Sequence, residues 1–261
     1  MQILFRKSLA EEGEFEAASK YFEVIESRMD AKGLVIPRYS SLPYYDELEK
    51  DVQKVGGSLI NSYNQHKWIA NFEWYQLLRS YTFDSWDSTT IYRAPPDIRY
   101  VVKGKTNSRK WQWNTKMFAE NRMEAVRIGA DLYSDGLIGH QGIIYRRYEP
   151  LKVLEEGING LNFTNEYRLF FYKTSLIGAS YYWAIAANPP KDVPSSAVDF
   201  ASKLANIIVK GNHSNFFVLD VAEREGGGWV LVEINCGTMS GLSLIEPDSF
   251  YKNLKLSIDA S

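Results

Sequence analysis

Cysteine is almost missing from this sequence: 261 residues include only Cys236, and histidine occurs three times, at His66, His140 and His213. A lone thiol forms no intramolecular disulfide, and one Cys with three scattered His assembles no zinc site. An excess of either charge is missing too, since 30 Lys plus Arg stand against 32 Asp plus Glu for a formal charge of −2. That near-balance argues against a general nucleic-acid or membrane-surface binder held by net basicity, and leaves a local basic patch open. No apolar run approaches the roughly eighteen residues of a membrane helix, and the one at the start is far too short for a secretory leader. A reducing, cytoplasmic compartment is therefore expected. Neither G-x-x-x-x-G-K-[S/T] nor G-x-G-x-x-G occurs, and there is no internal repeat. Aromatic residues, by contrast, make up 14% of the chain, an excess that core packing and ligand recognition would each explain.

The first ninety residues alternate short apolar runs with helical patterns, the texture of α/β layering. Gln2 to Phe5 and Gly33 to Pro37 read as strands, Pro43 to Val55 as a helix stopped at Gly56, and Gly57 to Ser62 as another strand. Trp68, Ile69, Phe72, Tyr75 and Leu78 recur at helical spacing. From Thr89 the strands lengthen. A strand runs through Lys103 into the polar, basic stretch KGKTNSRK, and Thr115 to Asp131 reads as a helix. Gly142 to Arg147 and Tyr167 to Tyr172 read as strands, the latter pairing with Ile177 to Ala186. Ser195 and Ser196 are positioned to cap a helix ended by Gly211. Two strands, NFFVLD and WVLVEIN, close the pattern around AEREGGG. The expected organisation is α+β, with a small α/β domain over residues 1–90 and a second domain over 91–261.

That last hairpin carries the sharpest chemical inference. A two-residue turn at Gly226 and Gly227 sets Asp220 directly opposite Glu233, with Asn235 two residues further along the same face. Carboxylates about 5 Å apart repel unless a cation lies between them. Adding an amide oxygen gives an all-oxygen ligand set that suits Mg²⁺. On a solvated sheet face the same pair would mean nothing. Here Phe216 to Leu219 and Val230 to Ile234 are strongly apolar, so the sheet is largely buried and its carboxylates need partners.

Two further features matter mainly in combination. Lys103, Lys105, Arg109, Lys110 and Lys116 gather around a flexible stretch that on its own reads as a solvated basic turn; beside a metal site it becomes a set of phosphate-compatible donors. Arg168, entering the apolar strand RLFFY, needs an anion, which a carboxylate at the rim or a phosphate supplies equally well. Cys236, with no His beside it in sequence, reads as packing, and His140 as part of a turn.

Taken in order, VVKGKTNSRKWQW, IIYRRYEPL, NEYRLFFY and FFVLDVAEREGGGWVLVEIN resemble the ATP-grasp superfamily, in particular its small bacterial and phage members. A weaker likeness, in NEYRLFF and the closing hairpin, extends to the eukaryotic cell-division-cycle ATP-grasp assembly factors. The resemblance runs from about Arg99 to Leu242. It implies an ATP-grasp fold preceded by a small α/β domain, ATP and Mg²⁺ as cofactors, and roles for individual positions. Lys103 matches the lysine that contacts ATP phosphates, with Lys116 a second candidate. The stretch Arg146, Arg147, Tyr148 and Glu149 matches the hinge beside adenine and ribose. Arg168 matches the arginine facing the transferred phosphate, and Asp220, Glu233 and Asn235 the metal ligands. Thr238 and Ser240 lie where the phosphoryl acceptor is met, Arg109 and Lys110 are candidate substrate contacts, and Tyr145, Tyr148 and Trp111 lie close enough to the nucleotide segments to be candidates for the cleft. The implied activity is a carboxylate–amine ligase working through an acylphosphate. A non-catalytic ATP-binding assembly factor and a kinase-like phosphotransferase remain open, as does the acceptor: a small molecule, a peptide, a protein or an RNA end.

Overall fold

The computed structural model describes residues 1–6, 8, 13–136 and 138–261. Its first part is a parallel sheet, ordered β2-β1-β3-β4, built from β1 (Gln2–Phe5), α1 (Glu14–Ser19), β2 (Glu23–Ile25), β3 (Gly33–Arg38), α2 (Tyr45–Lys54) and β4 (Gly57–Leu59). The helix expected from Pro43 begins two residues later, and it stops just before Gly56, whose φ of 90° lies in the left-handed region that glycine alone adopts freely. The aromatic stretch from Trp68 forms two helices instead of one, α3 (Tyr63–Ala70) and α4 (Trp74–Leu78). Phe72, at φ 65°, breaks the helical phase between them.

The next strands form an antiparallel sheet in the order β5-β8-β6-β7, with α5 packed on it: β5 (Ser85–Asp87), β6 (Tyr100–Gly104), β7 (Phe118–Ala119), α5 (Arg122–Tyr133) and β8 (Ile143–Arg147). The helix expected over Thr115 to Asp131 starts only at Arg122. A π-type turn (Trp113–Met117) and β7 occupy its first part, and the Asn121 side chain caps α5 by accepting from Glu124 N at 3.0 Å.

A hairpin that the sequence pattern above does not include follows, β9 (Val153–Ile158) and β10 (Leu161–Thr164), turning at Asn159 and Gly160. Both turn residues have positive φ, 54° and 83°, the conformation that an Asn-Gly pair favours between strands. The remaining elements are β11 (Glu166–Tyr172), β12 (Ser175–Tyr181), α6 (Ser195–Lys210), β13 (Phe216–Glu223), β14 (Trp229–Cys236) and α7 (Pro247–Asp259), with antiparallel order β12-β11-β13-β14. β12 ends at Tyr181, short of the expected Ala186. Pro194, not Ser195 or Ser196, is the N-cap of α6; Ser196 instead accepts from Trp229 Nε1 at 3.0 Å.

This last sheet is buried on both sides, and the alternation of its strands shows how. Tyr167, Leu169, Phe171, Phe217, Leu219 and Val221 face α3, α4 and α6. Phe170, Tyr172, Phe216 and Val218 face the parallel sheet, α1 and α7. Arg168 and Asp220 belong by register to this second face, at its polar end.

Asp220 does oppose Glu233, but by a different route from the one expected. Three residues, Glu225 to Gly227, lie between the hydrogen-bonded Arg224 and Gly228, so the strands start one residue out of the expected register. A β-bulge at Val232 restores it. Leu231 and Ile234 therefore both join the α6 side, which strict alternation forbids, and Glu233 is turned to the face of Asp220. No helix among the described residues is long and apolar enough to cross a membrane.

Candidate functional site

Register alone aligns the central residues across three strands: Arg168 on β11 pairs with Asp220 on β13, which pairs with Glu233 on β14. Arg168 Nε and Nη2 donate to the two oxygens of Asp220, both at 2.9 Å, and Nη1 donates to the Gly241 carbonyl at 3.1 Å. Asn235 Nδ2 donates to Asp220 Oδ2 at 3.1 Å. Burial works against the Arg168 charge, yet the paired carboxylate raises its pKa further. Asp220 is 1% exposed and lies beneath the site; Glu233 and Asn235 open onto it.

The opposing sheet supplies the other half. Lys103, one residue from the end of β6, donates to Glu233 Oε1, and Arg146 on β8 donates to the Val232 carbonyl at 2.5 Å. Burial alone would raise the Glu233 carboxyl; Lys103, with Lys110 and Arg146, holds it below its ordinary value. Burial and the neighbouring cations Arg146 and Lys110 lower the Lys103 ammonium, against the pull of Glu233. Glu233 thus sits in a local excess of positive charge, an arrangement that still accommodates added anions.

Between the sheets lies a cleft with apolar walls, including Val101, Met117, Leu151, Leu161, Trp183 and Val232. Lys103, Lys110, Arg146, Arg147, Tyr148, Glu149, Glu166 and Glu233 reach it, so the stretch Arg146 to Glu149 and the Lys103–Glu233 ion pair share one cavity. Glu149 accepts from Arg224 Nε at 3.0 Å, and Tyr148 packs under Arg99 and edge-on to Phe118. Next to this cleft is a polar pocket bordered by Thr106, Lys110, Arg168, Glu233, Asn235 and Ser240.

Other expected residues lie elsewhere. Arg109 makes a two-pronged ion pair with Asp135, at 2.6 and 2.7 Å, which pins the basic loop, and it does not border these clefts. Thr238 is 1% exposed with its hydroxyl against Cys236 Sγ, so Ser240 is the member of that pair that reaches the polar pocket. Lys116 lies in the π-type turn, outside the lining of either cleft. Tyr145 is core, its ring packed so closely on Gly129 that a Cβ there would clash with the hydroxyl.

Three contributors carry no sequence motif for this role. Glu166, on the strand that bears Arg168, lies in the cleft, where burial pushes its carboxyl up to about 7 against the pull of Lys110. Tyr182 accepts a hydrogen bond from Lys110, whose ammonium also lies 4.1 Å from the Tyr182 ring centre and 5.0 Å from that of Trp183. The β9–β10 hairpin adds Leu161 and Thr164 to the wall, and Asn159 Nδ2 ties its tip to the Trp111 carbonyl at 2.7 Å. Its Asn-Gly turn is the one signal of it in the sequence.

A family model for the ATP-grasp domain, family 3 of the R-2-K clade, matches residues 90–254. Among solved structures, the chain is similar to D-cycloserine synthetase DcsG at 13% identity and a TM-score of 0.63, over 100% of this chain and 99% of that one. It is similar to D-alanyl-alanine synthetase A from Vibrio cholerae O1 biovar eltor at 11% identity and a TM-score of 0.60, over 100% and 98%. It also resembles the ATP-grasp ligase PsnB, solved with its precursor peptide and AMPPNP, at 11% identity and a TM-score of 0.58, over 99% and 96%. At such identities the likeness is one of fold. No curated protein sequence matches the chain.

Proposed function

Because this chain belongs to the ATP-grasp domain family, we propose that it is an ATP- and Mg²⁺-dependent enzyme that joins a carboxylate to an amine through an acylphosphate. The observation that carries the reading is the charged line Arg168–Asp220–Glu233–Lys103, which spans the two sheets at the junction of an apolar-walled cleft and a polar pocket. On this reading residues 91–261 form the catalytic unit and residues 1–90 a smaller α/β domain beside it. The line between them is not a line between sheets, since β5 already pairs with β8.

The donor chemistry fits Mg²⁺. Glu233 and Asn235 offer hard oxygens at the polar pocket, while Asp220, directly opposite Glu233, has both its oxygens engaged by Arg168. No imidazole borders that pocket among the described residues, and the thioether of Met239, which does, is too soft a donor to compete for Mg²⁺. When bound there, the ion would neutralise phosphate charge and orient ATP. Lys103 and Arg146 would face the phosphates from the opposite sheet while Tyr148 and Glu149 border the base and ribose. In the first half-reaction the acid's carboxylate oxygen attacks the γ-phosphorus, and the bond to the ADP oxygen breaks. In the second, the amine displaces phosphate, loses a proton and leaves an amide. Arg168, fixed by Asp220 and the Gly241 carbonyl, and Lys110 are placed to hold the acceptor and offset charge in the transferred group.

The test is ADP release with Mg²⁺, ATP and a panel of acids, using hydroxylamine as the amine to trap an acylphosphate as a hydroxamate. Wild type should give both products, and Glu233→Gln should lower ADP release by about a hundredfold or more. Undiminished turnover in that variant would remove the metal assignment. A stable phosphorylated product in place of the hydroxamate would identify a kinase, and nucleotide binding with no ADP under any acceptor would identify an assembly factor.

A further inference from the structure

Lys110 borders three cavities: the nucleotide cleft, the polar pocket and a third, about 310 Å³, beneath the β9–β10 hairpin. The third differs in character. Its walls include Ile158, Leu161 and Phe163 from the hairpin, Trp183 and Ile185 after β12, and Trp111 from the basic loop. Three of these are large apolar side chains left in water, with Trp111 at 61%, Ile185 at 54% and Ile158 at 41% exposure. They converge on one concavity instead of being scattered, which is the distribution expected where a ligand supplies the missing contact. Trp183 is held rigidly, stacked on Phe163 at 5.2 Å and hydrogen-bonded through Nε1 to Thr164 at 3.3 Å.

The apolar cavity is continuous with the polar pocket, sharing Lys110, Trp111, Arg168, Tyr182 and Gly241. Both cations at this shared wall lie against the Tyr182 ring, Lys110 Nζ at 4.1 Å and the Arg168 guanidinium carbon at 4.8 Å from its centre. Although Asp220 already pairs with Arg168, Lys110 adds a second cation at this wall, so an occupant with an anionic group there and an apolar body directly beside it matches both halves of the cavity. We propose that the phosphoryl acceptor is a carboxylic acid with a large aromatic or branched aliphatic group, its carboxylate at Lys110 and Arg168 and its apolar group in the cavity under the hairpin. The proposal rests on the ligase reading and adds its substrate class. The two ATP-linked half-reactions are unchanged; the cavity selects which acid enters them.

A free acid and a peptide C-terminus share this chemistry, so both are assayed. Wild type with Mg²⁺, ATP and hydroxylamine is offered 3-phenylpropionate, 4-methylpentanoate and acetate, and acetylated dipeptides ending in Phe or Gly. The apolar member should exceed the small one by about ten- to a hundredfold in kcat/KM, whichever source is preferred. Ile185→Asp, a change at an exposed wall position outside the nucleotide cleft, should erase that preference while leaving binding of an ATP analogue intact. Equal rates for 3-phenylpropionate and acetate, or a preference that survives Ile185→Asp, would each overturn the proposal. Tryptophan emission gives a readout free of turnover: 3-phenylpropionate, unlike acetate, should quench it in wild type and fail to do so in Ile185→Asp. If the ATP analogue does not bind wild type, the nucleotide reading fails by itself, and the fluorescence titration still decides the cavity.

Discussion

His66 shows at the scale of one residue how burial sets a pH limit. It is 2% exposed on α3, stacked on the Tyr45 ring at 4.0 Å, and neither ring nitrogen has a hydrogen-bond partner among the described residues. Burial lowers its pKa to about 4, from the 6.5 of an exposed imidazole. Protonation is thus favoured in the unfolded chain. The neutral ring's contribution is fully present above pH 6.5 and is lost as pH falls toward 4, a change of about 3 kcal/mol across that window. His66→Phe should flatten this part of the stability–pH curve, measured by denaturant midpoints from pH 4 to 8; an unchanged slope would mean another group is responsible. Cys236 is simpler. Burial raises its thiol pKa, and Sγ lies against Thr238 Oγ1 at 3.0 Å and accepts from Asn61 Nδ2 at 3.4 Å, so packing accounts for it.

At the scale of elements, the decisive feature is the bulge on β14. Two carbonyls beside it are taken by groups from other parts of the chain: Leu231 accepts from Thr82 Oγ1 at 2.7 Å, and Val232 from Arg146 Nη1 at 2.5 Å. Thr82→Val keeps shape and removes one donor, leaving a buried carbonyl unsatisfied. The expected loss is about 1–3 kcal/mol, seen as a lower unfolding midpoint with an unchanged denaturant slope. A loss below a few tenths would show that water substitutes for the hydroxyl. The same bulge explains why the sequence is only partly legible. The apolar strands, the glycine-rich turn and the charged residues facing each other can all be read from local pattern. That pattern predicts a turn one residue too short and gives no sign of the bulge, and the two differences cancel at Asp220 and Glu233. Bulges depend on long-range partners such as Thr82 and Arg146, which no local spacing records. Glu166 escapes for the same reason, because its significance comes from Lys110, more than fifty residues earlier. The β9–β10 hairpin differs from these, since its Asn-Gly pair is a local signal that alone suffices to predict the turn.

Over the whole molecule, a buried polar cluster joins the parallel sheet to the turn after β14, on the proposed acceptor side of the site. Arg38, at the end of β3, donates through Nε to Glu14 Oε1 at 2.7 Å and through Nη1 to the Gly237 carbonyl at 2.5 Å; Tyr251 on α7 donates to the same Glu14 oxygen at 2.5 Å. The Arg38 and Glu14 side chains are each 4% exposed. Gly237 begins the turn that carries Ser240 and Gly241 to the polar pocket, so this cluster fixes where that turn leaves β14. Removing one ion should be severe: Arg38→Met strands Glu14 in the core and is expected to cost about 3–5 kcal/mol. Removing both ions should be far milder, because apolar replacements need no compensating charge, so Arg38→Met with Glu14→Leu should recover most of the lost stability. The double variant then separates stability from placement. With the fold restored but Gly237 unanchored, the ligase reading predicts that the KM for the acid rises severalfold while the affinity for an ATP analogue, which that reading assigns to the cleft lined by Lys103, Arg146 and Glu149, stays constant. A double variant with wild-type KM would show that the cluster only stabilises the fold; parallel losses of acid and nucleotide affinity would place its influence on both sheets instead of the acceptor turn.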